Sequence, residues 1–133
     1  MSIASRGERR EFRITIGLRA GYGADGVIFD VAQAVAVAER WLADRQARGL
    51  AVLSGMMTRG EIIYAKDGTA MREAVAIFAG EVQPSSPHPT DADIETALND
   101  LGSCLAQALD QEEISIAYRD EIWLMRRNGA QPS

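Results

Sequence analysis

Hydrophobic and polar positions alternate near the start of the chain. Apolar side chains occupy every second position from Phe12 to Leu18, and polar side chains, among them Arg13 and Thr15, stand between them. Successive side chains of a strand point to opposite faces of a sheet. The alternation therefore predicts a strand over residues 11–20 with one buried and one exposed face.

A helical period follows this strand. Asp30 is a favourable N-cap, and Gln33 three residues later completes the spacing of a capping box. Apolar residues then recur every three or four positions, namely Val31, Ala34, Val35, Ala38, Trp41 and Leu42. Gly49 is a suitable stop. The pattern predicts a first helix between Asp30 and Gly49.

The second helical pattern is the clearest in the chain. Thr90 is placed to cap it, and Asp91, Asp93 and Glu95 bring negative charge to its electropositive first turn. Its apolar stripe consists of Ile94, Ala97, Leu98, Leu101, Cys104, Leu105, Ala108 and Leu109. The stripe predicts a helix with one buried face, in which Cys104 is a small buried side chain and not a nucleophile.

A long hairpin is predicted between the two helices. Residues 50–57 and 61–65 are interpreted as one bulged strand, because Gly55 and Gly60 are positions at which a strand can bend. Lys66-Asp67-Gly68 is a hairpin turn signal. The return strand covers residues 71–82, and apolar side chains on both of its faces indicate a central strand.

The order of these elements predicts the fold. A last strand over residues 114–118 completes the series β-α-β-β-α-β, which is typical of an α+β, ferredoxin-like sandwich with two helices on one face of an antiparallel sheet. The apolar segment 122–125 predicts an extra C-terminal strand. With 133 residues the chain fits one domain over residues 1–133, and residues 1–10 and 128–133 are expected to be flexible ends.

Charge and composition narrow the classes of function. The chain has 14 basic and 19 acidic residues and a net charge of −5, so the basic field of a nucleic-acid-binding domain is absent. Nucleic-acid binding would depend on three arginines at the first strand, Arg9, Arg10 and Arg13. We predict that the protein does not bind nucleic acid. The single cysteine cannot form an intrachain disulfide. With no leader and no apolar run long enough for a membrane span, we expect a cytoplasmic protein without a membrane partner.

The most conspicuous motif is Gly21-x-Gly23-x-x-Gly26, which lies between a strand and a helix. In dinucleotide-binding folds such glycines bring a pyrophosphate to a helix N-terminus. That interpretation is disfavoured, because the preceding strand is only half-buried and the second strand ends without a ribose-binding acid. Two interpretations remain. The loop binds another small anion through its backbone amides, with Arg19 and Tyr22 assisting, or it is only a flexible connection.

No metal and no cofactor are predicted. The series Asp91-x-Asp93-x-Glu95 resembles the start of a calcium loop but lacks the later glycine and bidentate acid. His88 is the only histidine, so neither a two-histidine metal site nor a catalytic triad can form within one subunit.

Two functions remain open on these grounds. The main interpretation is a non-catalytic, self-associating binding or regulatory module, because an open sheet face and an apolar hairpin leave surface that two helices cannot cover. The alternative is a small cofactor-independent enzyme with a cleft at a subunit interface, for which Arg13 would be a further candidate. We expect a homo-oligomer and a small anionic ligand. The predicted ligand-binding residues are Arg19, Gly21, Tyr22, Gly23, Gly26 and His88, and no catalytic residue is assigned.

Overall fold

The structure, a computed structural model, describes residues 1–20, 26–84 and 88–127. The elements in chain order are β1 (Glu11–Gly17), α1 (Val31–Ala47), β2 (Met56–Lys66), β3 (Thr69–Glu81), α2 (Asp91–Ala108), β4 (Glu113–Tyr118) and β5 (Glu121–Arg126). They form one antiparallel five-stranded sheet in the order β2-β3-β1-β4-β5. This is the predicted ferredoxin-like sandwich, and β5 is the predicted extra strand beside β4.

Both helices pack on one face of the sheet and bury a common core. Its central side chains come from alternate positions of β1 and from the stripe of α2, as the sequence predicts. The largest fully buried members are Ile14, Ile16, Leu18, Leu53, Ile94, Leu98, Leu101, Leu105, Leu109 and Ile116. At the end of the α2 stripe the prediction is less accurate, because Cys104 is half-buried and Ala108 is exposed. Within the described residues, neither helix is long and apolar enough to cross a membrane.

Both predicted helix starts are confirmed by their capping hydrogen bonds. The Asp30 carboxylate accepts from the Ala32 amide at 2.9 Å, and the Asp30 amide donates to Gln33 Oε1 at 2.8 Å. At α2, Thr90 Oγ1 accepts from the Asp93 amide, and the Thr90 amide donates to the Asp93 carboxylate, each at 3.0 Å. These bonds satisfy amides that would otherwise have no partner at a helix N-terminus.

The predicted second strand is too long at its start. β2 begins at Met56, and its register against β3 runs without a bulge through Gly60 to Lys66. Residues 50–55 are irregular because they cross over β3. A Cβ on Gly80 would lie 2.6 Å from the Ser54 carbonyl oxygen, and a Cβ on Gly55 would lie 2.8 Å from Phe78 Cζ. The glycines mark a close backbone approach, where the sequence suggested a bend.

The β2–β3 hairpin extends beyond the rest of the sheet. Pairing between β1 and β3 ends at Gly17↔Val75, whereas β2 and β3 continue for six more pairs, from Glu61↔Ala74 to Lys66↔Thr69. At about 3.3 Å per residue, this hairpin arm, residues 61–74, projects by about 20 Å. Its turn is the predicted one, with left-handed conformations at Asp67 (φ 50) and Gly68 (φ 77). The arm exposes the apolar side chains Ile62, Ile63, Tyr64 and Met71.

Candidate functional site

Two side-chain oxygens converge on the backbone at the end of β1. A Cβ built on Gly17 would lie 2.4 Å from Gln111 Oε1 and 2.9 Å from Glu73 Oε1. Glycine is therefore the residue that lets these oxygens approach the strand. We call the group formed by Gly17, Glu73 and Gln111 the Gly17 notch. It lies where the hairpin arm leaves the sheet, beside the segment that leads into the glycine-rich loop.

The amide of Gln111 is held in one orientation. Its Nε2 donates to the Arg19 carbonyl at 2.6 Å and to the Leu109 carbonyl at 3.0 Å, so both of its N–H groups are used. The side chain is buried in the turn after α2, where Asp110 has a left-handed conformation (φ 50). The remaining oxygen, Oε1, consequently faces the notch and is available as an acceptor.

Glu73 supplies the charge of the notch. Its side chain is exposed, and among the described residues it forms no hydrogen bond or ion pair. The neighbouring Arg72 instead contacts Glu61 across the arm, with Nη1 3.3 Å from Oε2. A carboxylate without a counter-ion beside a fixed amide oxygen is an arrangement that attracts a positively charged group.

The glycine-rich loop begins from a short backbone pairing next to the notch. The Ala20 amide donates to the Val27 carbonyl at 2.7 Å, and the Phe29 amide donates to the Leu18 carbonyl at 2.6 Å. A Cβ on Gly26 would lie 2.1 Å from the Ala20 carbonyl oxygen, so packing alone requires glycine at that position. Arg19 donates weakly to the Gly26 carbonyl, with Nη1 3.4 Å from the oxygen.

Of the remaining predicted ligand-binding residues, only His88 lies within the described part of the chain, and it does not join this group. Gly21, Tyr22 and Gly23 lie outside the described residues, so anion binding by the loop amides stays a prediction. His88 lies near the other end of β1, where it lines a cleft of 320 Å³. Since β1 has seven residues, these two ends are separated by about 20 Å. The structure thus brings Arg19 and Gly26 together and places His88 elsewhere.

The cleft beside His88, the N-terminal cleft, contains a hydrogen-bonded ionic network. Tyr118 donates to Asp91 Oδ1 at 2.5 Å, and the guanidinium groups of Arg10 and Arg119 lie 3.5 Å and 3.3 Å from the same carboxylate. The Tyr118 hydrogen bond is the main cause that lowers the pKa of Asp91, and the two arginines add to it. Burial, followed by the Asp91 hydrogen bond, raises the pKa of Tyr118.

This network accounts for the acidic start of α2. Asp91 is engaged with Tyr118 and two arginines, and Asp93 caps the helix through the Thr90 amide. The similarity of this turn to the start of a calcium loop therefore has a structural explanation in these contacts.

Sequence reasoning missed Glu73 and Gln111. Neither belongs to a recognisable motif, and their proximity depends on the sheet register and on the turn after α2. One signal was available, because Gly17 interrupts an otherwise regular alternation of side chains, and a glycine inside a strand often marks a close approach.

The same fold occurs in a class of small phage enzymes. Two solved structures of a phage SAM lyase match nearly the whole chain, where SAM is S-adenosylmethionine. One, in complex with S-methyl-5′-thioadenosine, has 17% identity and a TM-score of 0.64. The other, in the apo state, has 15% identity and a TM-score of 0.68. Each match covers 98% of this chain and 100% of the other. No protein family and no curated protein matches the sequence.

These neighbours correct the main functional interpretation. They are enzymes, which contradicts the predicted non-catalytic binding or regulatory module and favours the alternative of a small enzyme. The non-catalytic interpretation rested on apolar surface that two helices cannot cover, and no catalytic residue was assigned. Such surface is equally compatible with an enzyme.

Proposed function

We propose that this protein is a lyase that cleaves S-adenosylmethionine. The observation that carries the proposal is the likeness to a phage SAM lyase over almost the full length of both chains. The Glu73 carboxylate in the Gly17 notch, which has no partner among the described residues, adds local support, because the proposed substrate has a positively charged sulfonium and an ammonium group. The cytoplasm, expected from the sequence, would be the site of action.

The reaction has modest chemical requirements. Breaking the bond between the sulfonium sulfur and the γ-carbon of the methionyl part leaves the electron pair on sulfur and releases S-methyl-5′-thioadenosine. The four-carbon part becomes either a lactone, when its own carboxylate oxygen attacks the γ-carbon, or an alkene, when a base removes a proton from the β-carbon. Neither route consumes water. The lactone route can therefore proceed by binding, orientation and charge stabilisation alone, whereas the alkene route also needs a base to accept the proton.

The Gly17 notch would hold the positive part of this substrate. The Glu73 carboxylate faces the sulfonium or ammonium group, and Gln111 Oε1 accepts from the ammonium group or from polarised C–H groups beside the sulfur. The methionyl carboxylate would then be the small anion of one of the two interpretations of the loop, in which its backbone amides bind an anion with the help of Arg19 and Tyr22. In this arrangement the ammonium group of the methionyl part would bind at the notch, and its carboxylate would bind at the neighbouring loop.

A second copy of the chain would complete the site. Glu73 is the exposed residue of the notch, and the hairpin arm that carries it exposes apolar side chains that include Ile63 and Tyr64. An adenosine group requires apolar walls, and the arm of a neighbouring subunit would supply them. We therefore keep the expected homo-oligomer as part of the proposal, with the substrate enclosed between the notch and a partner subunit.

The test is a turnover assay with mass-spectrometric detection. Purified protein is incubated with S-adenosylmethionine in water enriched in ¹⁸O, and we expect S-methyl-5′-thioadenosine together with a lactone or alkene that lacks ¹⁸O at early times. Glu73→Gln preserves the size of the side chain and removes its charge, so kcat should fall by about 100-fold. Glu61→Gln, on the same arm, is the matched control and should keep full activity.

The possible outcomes test the proposed lyase activity and the proposed substrate site separately. If the wild-type protein releases S-methyl-5′-thioadenosine no faster than buffer alone, the lyase proposal is wrong. Rapid incorporation of ¹⁸O would indicate a hydrolase. An active Glu73→Gln variant would retain the lyase and reject the notch as its site.

A further inference from the structure

Arg119, a positively charged residue that lines the N-terminal cleft, has an energetically unfavourable backbone conformation. Arg119 occupies the two-residue turn between β4 and β5 with φ 53. Glycine, asparagine and aspartate are the usual residues at such positions, because a larger side chain crowds the backbone there. Strain of this kind persists where the surrounding structure or a function requires it. In this conformation the guanidinium lies over the cleft, within reach of Asp91 and Glu8.

The two carboxylates that contact Arg119 differ in how firmly they are held. Asp91 has three partners, since Tyr118 and Arg10 also bind it. Glu8 contacts only Arg119 among the described residues, with its Oε2 3.0 Å from Nη2, and its side chain is 80% exposed. It also belongs to an irregular segment before β1. Glu8 is therefore the contact that can leave without disturbing the network.

The charge in the cleft favours an anion once Glu8 has left. Arg10, only 14% exposed, is fixed by its bond to the Pro89 carbonyl at 2.8 Å and by Asp91. Arg10 and Arg119 then carry two positive charges against the single negative charge of Asp91. The remaining titratable side chain on the wall is His88. A cleft of 320 Å³ has room for a small molecule.

We propose that the N-terminal cleft binds a small anion with paired oxygens, a carboxylate or a phosphate, on the guanidinium of Arg119. The Glu8 carboxylate occupies the same position in the unliganded protein and acts as an internal competitor. A guanidinium binds both kinds of anion through two parallel hydrogen bonds, which explains the choice of arginine. This site lies at the opposite end of β1 from the Gly17 notch and does not depend on the proposed lyase activity.

The experiment is an NMR titration of the full chain with sodium phosphate and, separately, sodium acetate at constant ionic strength. Backbone amides of residues 88–91 and 118–120 report binding. We expect saturable shifts with a Kd of about 1–10 mM. Glu8→Gln should bind at least about threefold more tightly, because the competing charge is removed. Arg119→Gln should lose the saturable shifts, and Arg119→Lys should bind several-fold more weakly because it lacks the fork.

Matched control variants distinguish anion binding at Arg119 from a general effect of the protein's charge. Asp44 and Arg48 form an exposed ion pair on α1, with 3.1 Å between Oδ2 and Nη1. Asp44→Asn and Arg48→Gln should therefore bind as the wild type does. The relative affinities for phosphate and acetate then identify which class of metabolite the cleft prefers.

Three results would overturn the proposal. The first is the absence of saturable shifts in both the wild type and Glu8→Gln with either anion. The second is unchanged affinity in folded Arg119→Gln and Arg119→Lys, which would place the anion elsewhere. The third is equal anion affinity of Glu8→Gln and the wild type, which would show that Glu8 does not compete with the anion for Arg119.

Discussion

At the scale of single residues, glycines decide how the chain comes together around the Gly17 notch. Gly17 admits the Gln111 and Glu73 oxygens, whereas Gly26 admits the Ala20 carbonyl. The sequence motif drew attention to Gly26 as a ligand-binding residue, and the structure gives it a packing role that is sufficient by itself. Binding by the rest of the motif remains a prediction, because those residues lie outside the described part of the chain.

The packing role of Gly26 predicts a loss of stability in Gly26→Ala. The new methyl group would lie 2.1 Å from a backbone oxygen that cannot move without disturbing the loop stem. We expect the free energy of unfolding to fall by about 1–3 kcal/mol in urea titrations. Gly60→Ala is the control, because its nearest atom is the flexible Ile77 Cδ1 at 3.1 Å. Equal stability of the two variants would contradict the packing role.

The lowered pKa of Asp91 predicts a specific dependence of stability on pH. Its folded-state pKa lies below the unfolded value, so its contribution is fully present above about pH 4 and is lost as pH falls through the folded-state pKa. Asp91→Asn should therefore be less stable than wild type at pH 7, with a smaller difference at pH 3. Urea titrations at both pH values measure this. A difference that does not shrink at pH 3 would contradict the ionic role of Asp91.

At the scale of elements, α2 is the part of the fold that local sequence specifies best. Its cap, its acidic first turn and its apolar stripe all predict the same helix, and the buried stripe packs on β1 and β4. The contact with β4 is close, since a Cβ on Gly102 would lie 2.3 Å from Ile114 Cδ1. Burial, followed by the charges of Asp100 and Asp44, raises the pKa of the Cys104 thiol. This is consistent with the structural role expected for that residue.

The fully buried Leu101 on α2 predicts a large effect of truncation. Leu101→Ala removes buried carbon atoms and leaves a cavity, so the free energy of unfolding should fall by about 2–5 kcal/mol. Ser103→Ala, two residues away on the exposed side of the helix, should change it by less than about 0.5 kcal/mol. Chemical denaturation of both variants measures the effect. If the two variants lose similar stability, the assignment of the buried face is wrong.

At the scale of the whole molecule, two groups of exposed apolar side chains lie on strands of the sheet. One lies on the hairpin arm, and the other is on β5 at the open face of the sheet, where Ile122 is 65% exposed and Leu124 is 56% exposed. Surface of this kind is the basis of the proposed self-association. The proposed substrate site lies beside the arm, so assembly and activity should be coupled.

The exposed arm predicts self-association. Light scattering at micromolar concentration should report a dimer or larger assembly, and Ile63→Lys should reduce its mass because it places a charge on the most exposed apolar position of the arm. Leu50→Lys, on the loop after α1, is the control and should leave the assembly intact. A stable monomer of 14.4 kDa for the wild type would reject the self-association.

The sequence by itself determined the elements and their order. Capping residues, the two hydrophobic periods and the Asp67-Gly68 turn act over a few positions, so their effect can be predicted without knowledge of distant contacts. The bounds of both helices, the hairpin and the extra strand followed from these signals. The start of β2 could not be predicted from these signals. Residues 50–55 are irregular because they cross β3, and this contact joins distant parts of the chain.

Only the tertiary structure decided which side chains meet. Gly17, Glu73 and Gln111 come from β1, β3 and the turn after α2, and their convergence depends on sheet register and helix packing. Tertiary structure also separated His88 from Arg19, which the sequence analysis had placed in one ligand-binding group. No local pattern encodes such contacts, because each depends on packing between elements that are far apart in the chain.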